Sequence, residues 1–150
     1  MEAAIIPLHP LQEQRFLIII DRGNSLPLYT TTVQAGFPSP ATDYSADPID
    51  LNTYASNHPA STFLVKVVGD SMIGAHIMPG DLAIVNREIR PASGMVVLAF
   101  VDGGFTIKRL EVKKEAAYLL SENAKYPPIK IDSPEGGIIW GVVVGIHRKF

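Results

Sequence analysis

The chain has 150 residues, 47% hydrophobic and 19% charged, with a net charge of −2 and no cysteine. That is material for one core with room for a tail, and it excludes wholesale disorder, disulfides, thiol catalysis and cysteine-ligated metal. Lysine and arginine are scattered and form no stripe, so the electrostatic footprint of a nucleic-acid binder is missing.

From the N-terminus, the apolar run Phe16–Ile20 reads as a strand. It is far shorter than the roughly 20 residues needed to cross a hydrocarbon layer. No basic stretch followed by a secretory-type cleavage site precedes it, so a soluble cytoplasmic protein is expected. A turn at Arg22-Gly23-Asn24-Ser25 leads to a polar extended stretch, Leu28–Val33. Then Gln34-Ala35-Gly36-Phe37-Pro38-Ser39-Pro40 combines small residues with two prolines, which predicts an extended, accessible segment. The expected organisation is an arm over 1–35 and a domain over 36–150.

One short helix is expected, capped by Asp47 with Pro48 in its first turn and Ile49, Leu51 and Tyr54 toward the core. It should stop before His58-Pro59, because a residue preceding proline avoids the α region. No helix-turn-helix pattern precedes the β-rich part, so direct sequence-specific DNA binding is not expected. Twelve glycines and twelve prolines cut the remainder into short pieces rich in β-branched residues. Predicted strands are Thr62–Val68, Asp81–Asn86, Gly94–Val101, Phe105–Val112, Ala117–Leu120, Ile129–Ile131 and Ile138–His147. Asp102-Gly103-Gly104 suits a hairpin connection, and 86–92 and 123–128 read as loops. The class is mainly β.

Three pieces carry chemistry. Gly69-Asp70-Ser71-Met72 follows directly on an apolar strand, where a hydroxyl at a tight turn projects into a cleft. The neighbouring amides, those of Ser71 and Met72, can converge there on a developing oxyanion. Taken alone, a serine after Gly-Asp is an ordinary turn residue. Lys108 lies within Phe105-Thr106-Ile107-Lys108-Arg109-Leu110, a strand otherwise suited to burial. Alternation leaves its direction open, since it shares a face with both Thr106 and Leu110. Ala35-Gly36 joins two small residues that would not obstruct attack on their peptide bond.

Together with Pro79-Gly80-Asp81, these motifs resemble the LexA/UmuD family of self-cleaving serine peptidases. The likeness runs from about Val33 to His147 and includes Ile49-Asp50-Leu51-Asn52 and Asn123-Ala124-Lys125-Tyr126-Pro127-Pro128-Ile129. Residues up to about Gly23 have no counterpart in it. The resemblance implies short, strongly curled antiparallel sheets, one short N-terminal helix and an extended arm. It implies Ser71 as nucleophile, Lys108 as general base and cleavage between Ala35 and Gly36. With Phe37-Pro38-Ser39-Pro40 and no DNA-binding domain, it points to the UmuD branch. For that branch it implies a homodimer, cleavage stimulated by the RecA filament on single-stranded DNA, and a UmuC-like error-prone polymerase as partner. No cofactor or metal is implied.

A serine hydroxyl attacks poorly until a base removes its proton. Lysine, with an ordinary pKa near 10.4, serves as that base only where desolvation disfavours its ammonium. Other readings stand beside this one. A Ser-His-Asp hydrolase would bring His9, His58, His76 or His147 to Ser71, yet no Gly-x-Ser-x-Gly elbow is present. The histidines lack ligand-like spacing for a metal. Asp70 and Asp81 sit at Gly-Asp turns, where structural capping is the expected role. A signal-peptidase-like enzyme would share the serine–lysine chemistry but needs a membrane anchor. A non-catalytic, dimeric β-rich module that binds a DNA polymerase is the reading from a different class.

Overall fold

A computed structural model describes residues 2–6, 16–20, 25–30, 32–37, 45–56, 58–132 and 138–150. The chain divides into two compact units, Met1–Tyr54 and Ala55–Phe150. The boundary expected at Ala35-Gly36, between an arm over 1–35 and a domain over 36–150, falls inside the first unit.

The first unit holds two antiparallel pairs. Strand β1 (Glu2–Ile6), which was not predicted, pairs with β2 (Phe16–Ile20), and β3 (Ser25–Tyr29) pairs with β4 (Ala46–Asp50). The expected turn at Arg22-Gly23-Asn24 and the prolines Pro38 and Pro40 lie outside the described residues. Residues 32–37 are exposed and have no regular structure, with Val33 92% and Phe37 90% accessible.

The helix differs from expectation. Asp47, Pro48 and Ile49 belong to β4, and α1 (Leu51–Ala55) begins after them. Asp50 is the capping residue: its carboxylate accepts the Asn52 amide (2.9 Å) and the Thr53 hydroxyl (3.1 Å). Pairing with β3 supplies 46–50 with strand partners, which a helix beginning at Pro48 would forfeit. Leu51 and Tyr54 are accordingly exposed and Ile49 is half-buried.

The second unit is built on a seven-stranded antiparallel sheet. Its strands are β5 (Thr62–Lys66), β6 (Leu82–Asn86), β7 (Val96–Val101), β8 (Gly104–Val112), β9 (Ala117–Leu120), β10 (Ile129–Ile131) and β11 (Ile139–His147). They lie in the order β10-β9-β8-β7-β11-β6-β5. All seven predicted strands are present, within two residues at each end. Hydrogen bonds from Gly80 to Val67 and from Val67 to Asp81 (both 2.8 Å) continue the β5–β6 ladder beyond its assigned ends. At the β7–β8 hairpin Asp102 and Gly103 have φ of 50° and 80°, the two left-handed residues that match the twist of the strands. β11 lies between β7 and β6, pairing with β7 through its first half and with β6 through its second, with a shift of register on each side.

Two clusters of buried side chains stabilise this unit. Val97, Ala99, Leu110, Ala117, Leu119, Ile131 and Val142 fill one. Val67, Met72, Ile77 and Ala83 form the second, beneath the segment that follows β5. Its place explains why Gly69-Asp70-Ser71-Met72 holds one shape: Met72, next to the serine, is a core residue.

Candidate active site

Each residue of Gly69-Asp70-Ser71-Met72 has a distinct structural part. Gly69, at φ 79°, turns the chain out of the β5 ladder through a conformation that costs glycine little. Asp70 faces the 122–126 segment, Ser71 faces β8, and Met72 enters the core. Backbone hydrogen bonds of the turn begin with the Ile73 amide donating to Asp70 O (3.4 Å), so the Ser71 and Met72 amides stand outside them.

From β8, Lys108 reaches this turn. Its Nζ donates to Ser71 Oγ (2.8 Å) and to Ile107 O (3.2 Å). Only 6% of Lys108 is exposed, and burial holds its pKa below the ordinary lysine value. Among the described residues no carboxylate pairs with Lys108, and a buried lysine in that position is rare, because the ammonium loses hydration that nothing else restores. Burial shifts such an amine toward its neutral form, which can accept a proton from the hydroxyl it touches.

Two cavities share Ser71 in their walls. One, of about 560 Å³, is walled by β5 and by apolar side chains that include Val65, Leu98 and Trp140. The other, of about 430 Å³, also contains Lys108, Tyr126 and Asp102.

Residues that drew no attention as individuals hold the turn from behind. The Gly74 amide donates to Glu122 O (2.8 Å), and Asn123 Nδ2 donates to Asp70 O (2.9 Å). Tyr126 Oη donates to Asp70 Oδ1 (2.5 Å), and Lys125 Nζ lies 3.9 Å from Asp70 Oδ2. The Tyr126 bond, followed by the Lys125 charge, draws the Asp70 pKa down; the same bond, followed by the Asp70 charge, pushes the tyrosine's up. Arg109 pairs with Glu122 and fixes the same segment to β8. The signal available in the sequence is the run Asn123–Ile129, which reads as a loop and as part of a resemblance, without a physical role.

Asp81 lies on the other side of the turn. It is 1% exposed, accepts Arg148 Nε (2.6 Å) and Nη2 (2.7 Å), and takes the Met78 amide (2.7 Å). Those partners, Arg148 first, lower its pKa from 3.8 to about 2. Both Gly-Asp aspartates therefore brace turns, as expected, and they do not form a carboxylate pair. Among the histidines, His76 closes the short 3₁₀ turn Ile73–Ala75 with a left-handed backbone, and His58 pairs with Glu88 (3.3 Å). His9 lies outside the described residues. Ala35 and Gly36 belong to the first unit, in an exposed bend where a Cβ on Gly36 would meet no atom within 4 Å.

The sequence matches the Peptidase S24-like family over residues 27–144. The chain belongs to that family. Protein SamA of Salmonella typhimurium is 43% identical over 126 residues, 84% of this chain and 87% of its own length. Protein MucA of Escherichia coli is 36% identical over 123 residues, 81% of this chain and 84% of its own. A LexA repressor of Shewanella is 44% identical over 93 residues, 61% of this chain and 45% of the repressor. Membership bears out the resemblance to LexA/UmuD-type proteins and the mainly β class. The match leaves residues 1–26 outside the family pattern, close to where the likeness read from the motifs ends. Among the described residues no helix is long and apolar enough to cross a membrane.

Proposed function

We propose that this S24-like chain is a self-cleaving serine peptidase that cuts its own Ala35–Gly36 bond, with Ser71 as nucleophile and Lys108 as general base. The 2.8 Å contact between a buried Lys108 Nζ and Ser71 Oγ carries the reading.

Ser71 Oγ attacks the Ala35 carbonyl carbon while its proton passes to neutral Lys108. The amides of Ser71 and Met72 receive the oxyanion. The lysine then gives the proton to the Gly36 nitrogen as the C–N bond breaks, leaving Ala35 esterified to Ser71. Water, deprotonated by the same amine, hydrolyses the ester and releases residues 1–35 with a carboxylate at Ala35. An attached substrate makes this efficient, because tethering supplies a high effective concentration.

By the same family likeness, the arm-free product over 36–150 is a cytoplasmic homodimer acting in SOS mutagenesis. It serves as a subunit of a UmuC-like error-prone polymerase, and the RecA filament on single-stranded DNA stimulates the cleavage that forms it. A second reading, the non-catalytic polymerase-binding module, draws on an exposed aromatic group. Phe100 and Trp140 each meet Phe105 edge to face at 5.0 Å, beside the larger cavity.

Mass spectrometry of the purified protein between about pH 6 and 11 separates the two. Self-cleavage gives a fragment starting at Gly36, at a rate that rises about tenfold per pH unit until Lys108 is neutral, and then levels off below about 10.4. Ser71→Ala and Lys108→Ala stay intact. A mass unchanged even at alkaline pH favours the module, and a flat profile between pH 7 and 10 removes Lys108 from the mechanism.

A further inference from the structure

The 122–126 segment touches both halves of the pair. Tyr126 Oη donates to Asp70, the residue before Ser71, at 2.5 Å. The ring of the same tyrosine lies 6.0 Å, centroid to nitrogen, from Lys108 Nζ. Its backbone is fixed locally: the Tyr126 amide donates to Asn123 O and the Lys125 amide to Asn123 Oδ1 (both 3.1 Å), and Pro127 and Pro128 stiffen the chain immediately after it. Asn123 Nδ2 in turn donates to Asp70 O, which makes the tether two-pronged.

We propose that Tyr126 is a positioning residue for this pair: its ring caps the Lys108 amine, and its hydroxyl holds, through Asp70, the turn that presents Ser71. This rests on the serine–lysine reading above and adds to it what keeps the amine dry. Six ångströms is the outer limit for useful attraction between an ammonium and a ring face, so the ring favours the charged form only weakly. Its larger effect is to exclude water from one side of the amine, which disfavours the ammonium. The other ionisable groups around the cavity shared by Lys108 and Tyr126 leave that balance intact. Asp70 is engaged by Tyr126 and Lys125, Arg109 by Glu122, and Asp102 sits at the hairpin end of β7 and β8. Without the ring, water reaches the amine. Without the hydroxyl alone, the cap remains and only the turn loosens.

The test uses the full chain carrying Ser71→Ala, labelled with ¹⁵N-lysine. Lys108 Nζ is titrated by NMR and assigned by its loss in Lys108→Met. Tyr126→Leu, with Tyr126→Ser as a second ring-free variant, is expected to move the Lys108 midpoint up toward about 10.4. Tyr126→Phe, which keeps the ring, is expected to leave it in place. Because Tyr126 is 42% exposed, all three should keep the parent's circular dichroism. In chains with Ser71 restored, Tyr126→Phe should slow cleavage roughly threefold to tenfold at an unchanged pH midpoint, the expected loss of one hydrogen bond. The ring-free variants should move the midpoint of the rate profile as well. An unmoved Lys108 midpoint in both ring-free variants overturns the proposal, as does an equal shift in Tyr126→Phe. If the midpoint moves as expected but no chain is cut, the cap stands and the Ala35–Gly36 reading falls.

Discussion

In the proposed mechanism Lys108 is chemically useful, and its burial makes it structurally costly. Its depressed pKa means that between the folded and unfolded values the unfolded chain binds a proton the folded chain does not. Stability therefore rises with pH across that window, and the full cost is borne below the lowered folded value. Lys108→Met, which keeps the volume and removes the amine, is expected to raise the thermal midpoint at pH 7. The advantage should shrink as pH climbs through the folded pKa and vanish above about 10.4. Calorimetry of both proteins from about pH 7 to 11 checks this, and a constant difference would argue against a desolvated amine. The sequence placed Lys108 in a strand but left its direction open, because Thr106 and Leu110 on the same face suit either water or core. Proximity to Ser71, 37 positions away in the chain, resolves it.

Among the elements, the braces on either side of the Ser71 turn matter most. Gly74 lies so close to the 122–126 segment that an added Cβ would stand 2.5 Å from Glu122 O, a backbone atom that cannot swing aside. Gly74→Ala is expected to cost about 1–3 kcal/mol through overpacking. It should also slow cleavage by pushing the segment off Asp70, and denaturant melts with cleavage rates at one pH measure both. On the opposite side, Asp81 and Arg148 join the start of β6 to the end of β11. With the Asp81 pKa lowered from 3.8 to about 2, the carboxylate stabilises the fold above the ordinary value, and this is lost as pH falls toward the lower one. Asp81→Asn should be less stable than the parent at neutral pH and show a shallower acid limb between about pH 4 and 2. Thermal melts across that range test it; identical acid limbs would show that the bridge contributes nothing. Strands were legible because apolar β-branched runs end at glycine and proline. Helix α1 was misplaced by three residues because Asp47 and Asp50 are equally good caps, and only β3 decides which one is used.

For the molecule as a whole, the proposed self-cleavage requires the bond at Ala35-Gly36 to reach a serine that belongs to the other unit. Gly36 lies in exposed chain where a side chain meets nothing. Gly36→Asp is accordingly expected to leave the thermal midpoint unchanged while reducing cleavage by at least about a hundredfold, because a displaced carbonyl misses Ser71 Oγ. Cutting at the parent's rate would place the scissile bond elsewhere. By itself, the sequence determined the β class, the strands of the second unit and the Asp102-Gly103 hairpin, since each is written in local periodicity or turn chemistry; Ser71 and Lys108 were singled out only by the resemblance to a family. Only the tertiary structure decided that Lys108 is buried against Ser71, that Asp50 caps α1 and that Asn123 and Tyr126 brace the turn. These depend on contacts between residues distant in the chain, which no local pattern encodes.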